Sequence, residues 1–311
     1  MIDRPQDQPD RWMQHMRAGD FEAAWQLTDA QLRSGTLQPH VPVPRHLQRV
    51  WTGAPLEGQR VLVRCYHGLG DTIQFIRYAP LLRHLAREVI VWAQPELLPL
   101  LQGVQGIDRL LPLHDGTPDV SYDVDIEVME LPHALRTLRS SIPADVPYID
   151  VAPHAGGASS VREKRDGGLA VGMVWQAGDW DSSRSVPAAL LQPIARIPGV
   201  ALHLLQRGSA LHAMPTNLGV NSGSDDILET ARTMRALDLV VSVDSMPAHL
   251  AGALAVPVWT LLRADADWRW MQGPTSPWYP TMRLFRQETE GEWTPVLERV
   301  ARDLTALCQQ V

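Results

Sequence analysis

The 311-residue chain is 45% hydrophobic and 20% charged, with a formal net charge of −7. These are globular proportions with apolar material for two domains, and the acidic balance argues against nucleic-acid binding. Cys65 and Cys308, the two cysteines, are far apart and fit a reducing cytosol rather than a disulfide framework; the polar start MIDRPQDQPDRW lacks a signal core, and no stretch reaches the ~18 apolar residues of a membrane span, which leaves peripheral membrane contact at most.

Residues 11–34 predict two short helices broken at Gly19-Asp20, with Phe21, Ala24, Trp25 and Leu27 at helical spacing and Gly35 as a C-cap. The pair looks like one unit of a tetratricopeptide repeat. A single unit cannot bury its own face, so it is expected to pack on the next domain. The Pro-rich stretch 37–60 reads as a connector. A strand (VLVRC, 61–65), the turn HGLGD, a helix (TIQFIRYAPLLRHLA), a strand (EVIVWAQ, 88–94) and a helix (PELLPLLQGV) follow. A third strand lies within GIDRLLPLHD and a fourth at 122–129.

The Gly-, Ser- and charge-rich run 151–168 reads as a linker, after which the alternation restarts. Strands are predicted at 169–176, 200–206, 239–245 and 256–262, with helices in VPAALLQPIARI, DDILETARTMRAL and MPAHLAGALA. An amphipathic helix closes the chain. Strands alternating with helices specify parallel sheets with crossover helices. The expected class is therefore α/β: two Rossmann-like domains facing each other across a cleft, with an N-terminal helical hairpin. The expected boundaries are 1–36 for the hairpin, 37–160 and 161–288 for the two domains, and 289–311 for a helix packing back across them.

Four segments carry candidate chemistry, because ligands of open α/β sheets bind at the carboxyl ends of strands. Gly68-Leu69-Gly70-Asp71 joins a strand to a helix; Asp71 either faces the cleft or simply caps its helix. Asp244, Ser245, Met246, Pro247, Ala248 and His249 span the exit of a buried strand and a helix start. Free N–H groups and a partial positive charge there suit a diphosphate, while His249 taken alone reads rather as a packed histidine. The loop from Trp175 and Gly178 to Arg184 and Ser185 carries a cation and hydroxyls for phosphate, or is a solvated loop. Gln206-Arg207 reads a base edge or phosphate, or is a polar turn. Gln74 and Trp268 are expected to line the same cleft with Gly68, Leu69 and Gly70. The tryptophans at 259, 268, 270 and 278 serve core packing or an aromatic cleft wall. Asp265 and Asp267 offer a metal-type spacing, but a structural role in the Trp-rich loop is preferred, and no Cys/His cluster has ligand spacing. No metal or cofactor is expected.

Several phrases in this order resemble glycosyltransferase family 9, the group of the lipopolysaccharide heptosyltransferases, and in particular its domains found behind tetratricopeptide repeats. They are WTGAPLEGQR (51–60), GLGDTIQFIRY (68–78), VGMVW (171–175), LDLVVSVDSMPAHLAGAL (237–254), DWRW (267–270) and SPWYPTMRLFRQ (276–287). The resemblance implies a GT-B fold and an inverting, metal-independent transfer of hexose or heptose from a nucleotide-sugar to an acceptor on a glycan, protein or metabolite. It implies Asp71 as catalytic base, and residues 244–249 with the loop 176–185 as the donor site. Tyr66 and His67 stand where repeat-associated relatives commonly carry Glu-Gln, which makes His67 a second candidate base. The alternatives are a non-catalytic scaffold of the same fold and a nucleotide-sugar epimerase. The sugar, the acceptor and the oligomeric state are not specified by the sequence.

Overall fold

The computed structural model describes residues 11–34, 51–152, 168–178, 181–208 and 217–310. The expected Gly35 cap, the first part of the connector, residues 153–167 of the linker, and Asp179 with Trp180 lie outside the described residues.

The hairpin consists of α1 (Arg11–Ala18) and α2 (Phe21–Ser34). Gly19, at φ +77°, makes the turn, and the Asp20 carboxylate accepts the Ala23 N–H to start α2. It does not pack on the adjacent domain alone. On the first lobe, Trp25 Nε1 donates to the Thr137 carbonyl (2.6 Å), and Asp29 pairs with His133 (2.8 Å) and Arg136 (2.9 Å). On the second lobe, Trp12 meets the edge of Trp268 (5.8 Å between centroids) and Arg17 donates to the Asp265 carbonyl (3.2 Å).

The first lobe is built on β1 (Arg60–Arg64), β2 (Glu88–Ala93), β3 (Arg109–Pro112) and β4 (Val124–Glu127), all parallel in the order β3-β2-β1-β4. The second is built on β5 (Leu169–Val174), β6 (Val200–Leu204), β7 (Val220–Asn221), β8 (Leu239–Val243), β9 (Val258–Leu262) and β10 (Met282–Arg286). These are also parallel, in the order β10-β9-β8-β5-β6-β7. Strands covered on both faces read as unbroken apolar runs, and β5, β8 and β9 are buried at every position. Each large aliphatic side chain so buried stabilises the lobe by about 1.5–3 kcal/mol.

Proline cuts the helices shorter than their apolar patterns. The segment 69–85 is α3 (Leu69–Phe75), a 3₁₀ turn at 76–78 and α4 (Ala79–Leu85), with Pro80 in the first turn of α4 where no N–H is needed. Pro99 and Pro193 likewise leave only single turns, α5 (Leu98–Leu101) and α7 (Gln192–Ala195). The others are α6 (Leu131–Ala134), α8 (Ile227–Met234), α9 (Met246–Ala253) and α10 (Thr294–Cys308). The last packs on α7, β10 and the turn at 188–191, all in the second lobe.

The lobes touch directly. Arg77 is buried between the rings of Tyr148 and Tyr279 (4.5 and 4.3 Å) and donates to the Trp278 carbonyl, while the N–H groups of Tyr148 and Ile149 reach the Ala253 carbonyl. In each sheet the chain first builds outward and then returns to the other side of its starting strand. The order reverses between β1 and β4 in one lobe and between β5 and β8 in the other. A ligand crevice is expected outside the carboxyl ends of the strands at each reversal.

Candidate active-site cleft

Both reversals open onto one cleft of about 1510 Å³. The first lobe lines it with residues 66–71, Glu96 and Met129; the second with 176–178, 205–208, 244–247 and His249; the hairpin adds Trp12, Met13 and Arg17.

On the first-lobe side, Asp71 sits in the first turn of α3. Both readings of this residue hold at once: Oδ2 accepts the Gly68 N–H (3.0 Å), and the carboxylate faces the cleft. Oδ1 takes a 2.6 Å ion pair from Arg269, whose Nε also binds Asp267 (2.9 Å). Burial alone would raise the Asp71 pKa, but the Arg269 guanidinium reverses this and holds it low. His67, also in the cleft wall, places Nε2 3.5 Å from Oε1 of Glu127 at the end of β4. Burial pushes the Glu127 carboxyl well up, and Glu130 and Asp71 add to it.

Gly68 adopts an ordinary φ of −62°, so the glycines are not there for turn geometry. Gly70 is required by contact: a Cβ there would lie 2.9 Å from His249 Cδ2 and 3.3 Å from Met246 Cα. The starts of α3 and α9 thus abut across the lobes.

On the second-lobe side, Ser245 leaves the start of α9 without a side-chain cap, its hydroxyl donating instead to the Val243 carbonyl. Arg184 Nη1 donates to the Asp244 carbonyl (3.0 Å), which fixes the guanidinium at this helix start. Burial and the nearby Asp267 raise the Asp244 carboxyl. His249 is buried and stacked on Trp270 (5.1 Å, 22°), and burial together with Arg269 lowers its pKa to about 3. It is a neutral imidazole. His249 Nδ1 lies 3.0 Å from the Tyr279 hydroxyl, which also lies 3.5 Å from the Tyr148 hydroxyl, and Tyr148 spends its own hydrogen on the Ile73 carbonyl.

Other expected residues sit deeper. Gln74, expected in the cleft wall, is fully buried and does not line it. Trp175 is likewise a core residue whose N–H donates to Gln206 Oε1 (2.8 Å). Gln206 also accepts the Gln176 N–H (3.1 Å), so its carbonyl is spent on the loop rather than turned to a ligand. Ser185 accepts the Ala177 N–H (3.0 Å), and Ala248 is buried against its neighbours; neither lines the cleft. Leu69, Gly178, Met246, Pro247 and Trp268 line it as expected. Trp268 also packs on Trp12, Phe21 and Phe75, whereas Trp270 and Trp278 are fully buried, so the aromatic cluster is mainly interlobe packing. Asp265 and Asp267 are held by Arg263 (2.6 Å) and Arg269 rather than by each other's spacing. Among the described residues no group of three His, Cys, Asp or Glu could hold a metal.

The sequence reading did not single out Glu127, Arg269 or Tyr279. Glu127 had a usable signal, a carboxylate at the end of a parallel strand. Arg269 and Tyr279 had none, since their partners are about 200 and 30 residues away.

Two Rossmann-like lobes closing on a shared cleft define a GT-B-type architecture. It superposes on the glycosyltransferase family 9 structure from Veillonella parvula with a TM-score of 0.60 at 12% identity, covering 82% of this chain and 99% of that one. For E. coli ADP-heptose lps heptosyltransferase II the TM-score is 0.58 at 15% identity, covering 81% and 99%. The motif resemblance to family 9 therefore extends to the fold. In sequence, the chain is 25% identical over 284 residues to Protein FlbA of Caulobacter vibrioides, covering 82% of this chain and 48% of that protein. It spans about half the length of this relative. No protein-family profile matches it. Among the described residues no helix is long and apolar enough to cross a membrane.

Proposed function

We propose that the cleft transfers a sugar from a nucleotide-sugar to an acceptor nucleophile, with inversion and without a metal. The observation that carries this reading is the convergence of both topological reversals on one two-lobed cleft, with an uncapped helix start on one wall and a carboxylate and an imidazole on the other. The donor diphosphate is placed at the start of α9. Backbone N–H and the Arg184 guanidinium offset charge building on the leaving group there, and the neutral His249 adds one N–H. The acceptor hydroxyl lies on the first-lobe side, where Asp71 or His67 takes its proton as the oxygen attacks the anomeric carbon. The likeness to family 9 structures supports the same assignment. The acceptor is a hydroxyl or other nucleophile of a glycan, protein or metabolite.

Thermal-shift screening against ADP-, UDP-, GDP- and dTDP-sugars tests the donor site. Stabilisation by one nucleotide class and an inverted anomeric product are expected. Stabilisation with no turnover points to a scaffold, and a changed sugar released without an acceptor points to an epimerase.

A further inference from the structure

We propose that His67, set by Glu127 behind it, is the group that takes the acceptor proton, and that Asp71 serves instead to hold the two lobes together through Arg269. This rests on the reading of the cleft as a transferase site.

Three observations lead to it. The first is topological: His67 follows β1 and Glu127 ends β4, so the pair straddles the reversal of the first sheet, where α/β folds place their ligands. In the second lobe the corresponding places, after β5 and after β8, are the loop 175–178 and the start of α9. The pair thus faces the proposed diphosphate site from the matching position.

The second is the state of Asp71. One oxygen is committed to Arg269 at 2.6 Å and the other to the Gly68 N–H at 3.0 Å. To act as a base it would have to give up a partly buried ion pair that joins the lobes. Its carboxyl is also held low, the wrong direction for a base acting near neutrality.

The third is the state of Glu127. Both oxygens are fully buried, and among the described residues no hydrogen bond of good geometry reaches either, although the N–H groups of Tyr66 and Val128 lie close. A buried carboxyl in that condition keeps its proton unless a cation comes to stand beside it. The cation nearest to hand is the one His67 becomes on accepting a proton, 3.5 Å from Oε1.

In the step itself the acceptor O–H bond breaks and its proton moves to the His67 imidazole. The acceptor oxygen forms a bond to the anomeric carbon, and the bond from that carbon to the diphosphate oxygen breaks, its electrons leaving with the nucleotide. The imidazolium is held beside Glu127 until the proton is lost to water. Glu127 is a positioning residue: it acts on His67 and touches no substrate. The other titratable groups that face His67 or Glu127 among the described residues are the Cys65 thiol at the end of β1, Tyr66 on the same loop, Glu130 in the turn after β4 and Asp71 on α3.

Histidine-labelled NMR titration of the full chain tests the pair without any substrate, with His67 assigned by its loss in His67→Gln. Glu127→Gln should move the His67 midpoint down by on the order of one pH unit. An unmoved midpoint overturns the proposal. ADP release from ADP-glucose, with water as acceptor, tests the role. His67→Gln should lower the rate about 10²-fold, and Glu127→Gln should shift the acidic limb of the pH profile in the direction of the NMR shift. A His67→Gln rate within about threefold of the parent also overturns the proposal, because an essential base contributes far more than that. A parent chain that releases no ADP counts against ADP-glucose as donor, and the titration then still decides whether Glu127 sets His67.

Discussion

The two lobes each bring one histidine to the same cleft, and the two histidines are built for different work. His249 is walled in by Trp270, Tyr279 and the backbone of α3, and its pKa falls to about 3. His67 stands in the cleft wall beside a buried carboxylate. A desolvated imidazole next to Arg269 is held neutral, whereas the His67 imidazole has a carboxyl rather than a guanidinium as its close neighbour. Residue type alone therefore does not assign the chemistry; the charge of the nearest buried neighbour does.

The largest test of this contrast is the pH dependence of stability. His249 has its folded pKa depressed to about 3 from an ordinary 6.5, so the unfolded chain binds the extra proton between those values. Its contribution is fully present above about pH 6.5 and is lost as pH falls toward 3, at up to about 1.4 kcal/mol per pH unit and on the order of 5 kcal/mol in all. Urea unfolding at a series of pH values should show that slope in the parent and a shallower one in His249→Gln. Equal slopes would mean the imidazole is not buried neutral.

Next in size is Arg269→Met, which takes from Asp71 and Asp267 the guanidinium that both bind. Breaking a buried pair in this way is expected to lower stability by about 3–5 kcal/mol, read by chemical denaturation. A loss under about 1 kcal/mol would place the pair among solvent-screened contacts and remove its role in joining the lobes. Gly70→Ala probes the same seam, because its Cβ would press on His249 and Met246; about 1–3 kcal/mol is expected. Gly178→Ala, on the opposite wall with nothing within 4 Å of the added carbon, should be close to neutral in the same melts. Between these two lies Tyr279→Phe, which removes one buried hydrogen bond to His249 and should lower stability by about 1 kcal/mol. A larger fall in nucleotide affinity than in stability would tie that hydroxyl to the donor site.

The alternation of apolar strands with helices was legible because parallel strands buried on both faces leave unbroken runs such as LVVSV, and these mark two sheets without any tertiary knowledge. Asp71 and the 244–249 segment were legible for a related reason: strand exits followed by Gly, or by Ser with Pro, announce helix starts at a ligand edge. Two strands of the second sheet were not. β7 has two residues and β10 lies inside a run of Trp, Tyr and Pro, where its partner β9 rather than its own pattern recruits it.

The sequence by itself determined the two-lobed α/β layout, the helical hairpin and which strand ends line the cleft, because periodicity and turn chemistry are local. Only the tertiary structure decided that the hairpin straddles both lobes, that Asp71 is tied to Arg269 from 198 residues away, and that Gln74 and Trp175 point into the core instead of the cleft. These outcomes depend on which buried charge and which ring arrive beside each side chain, and packing at long sequence separation sets that.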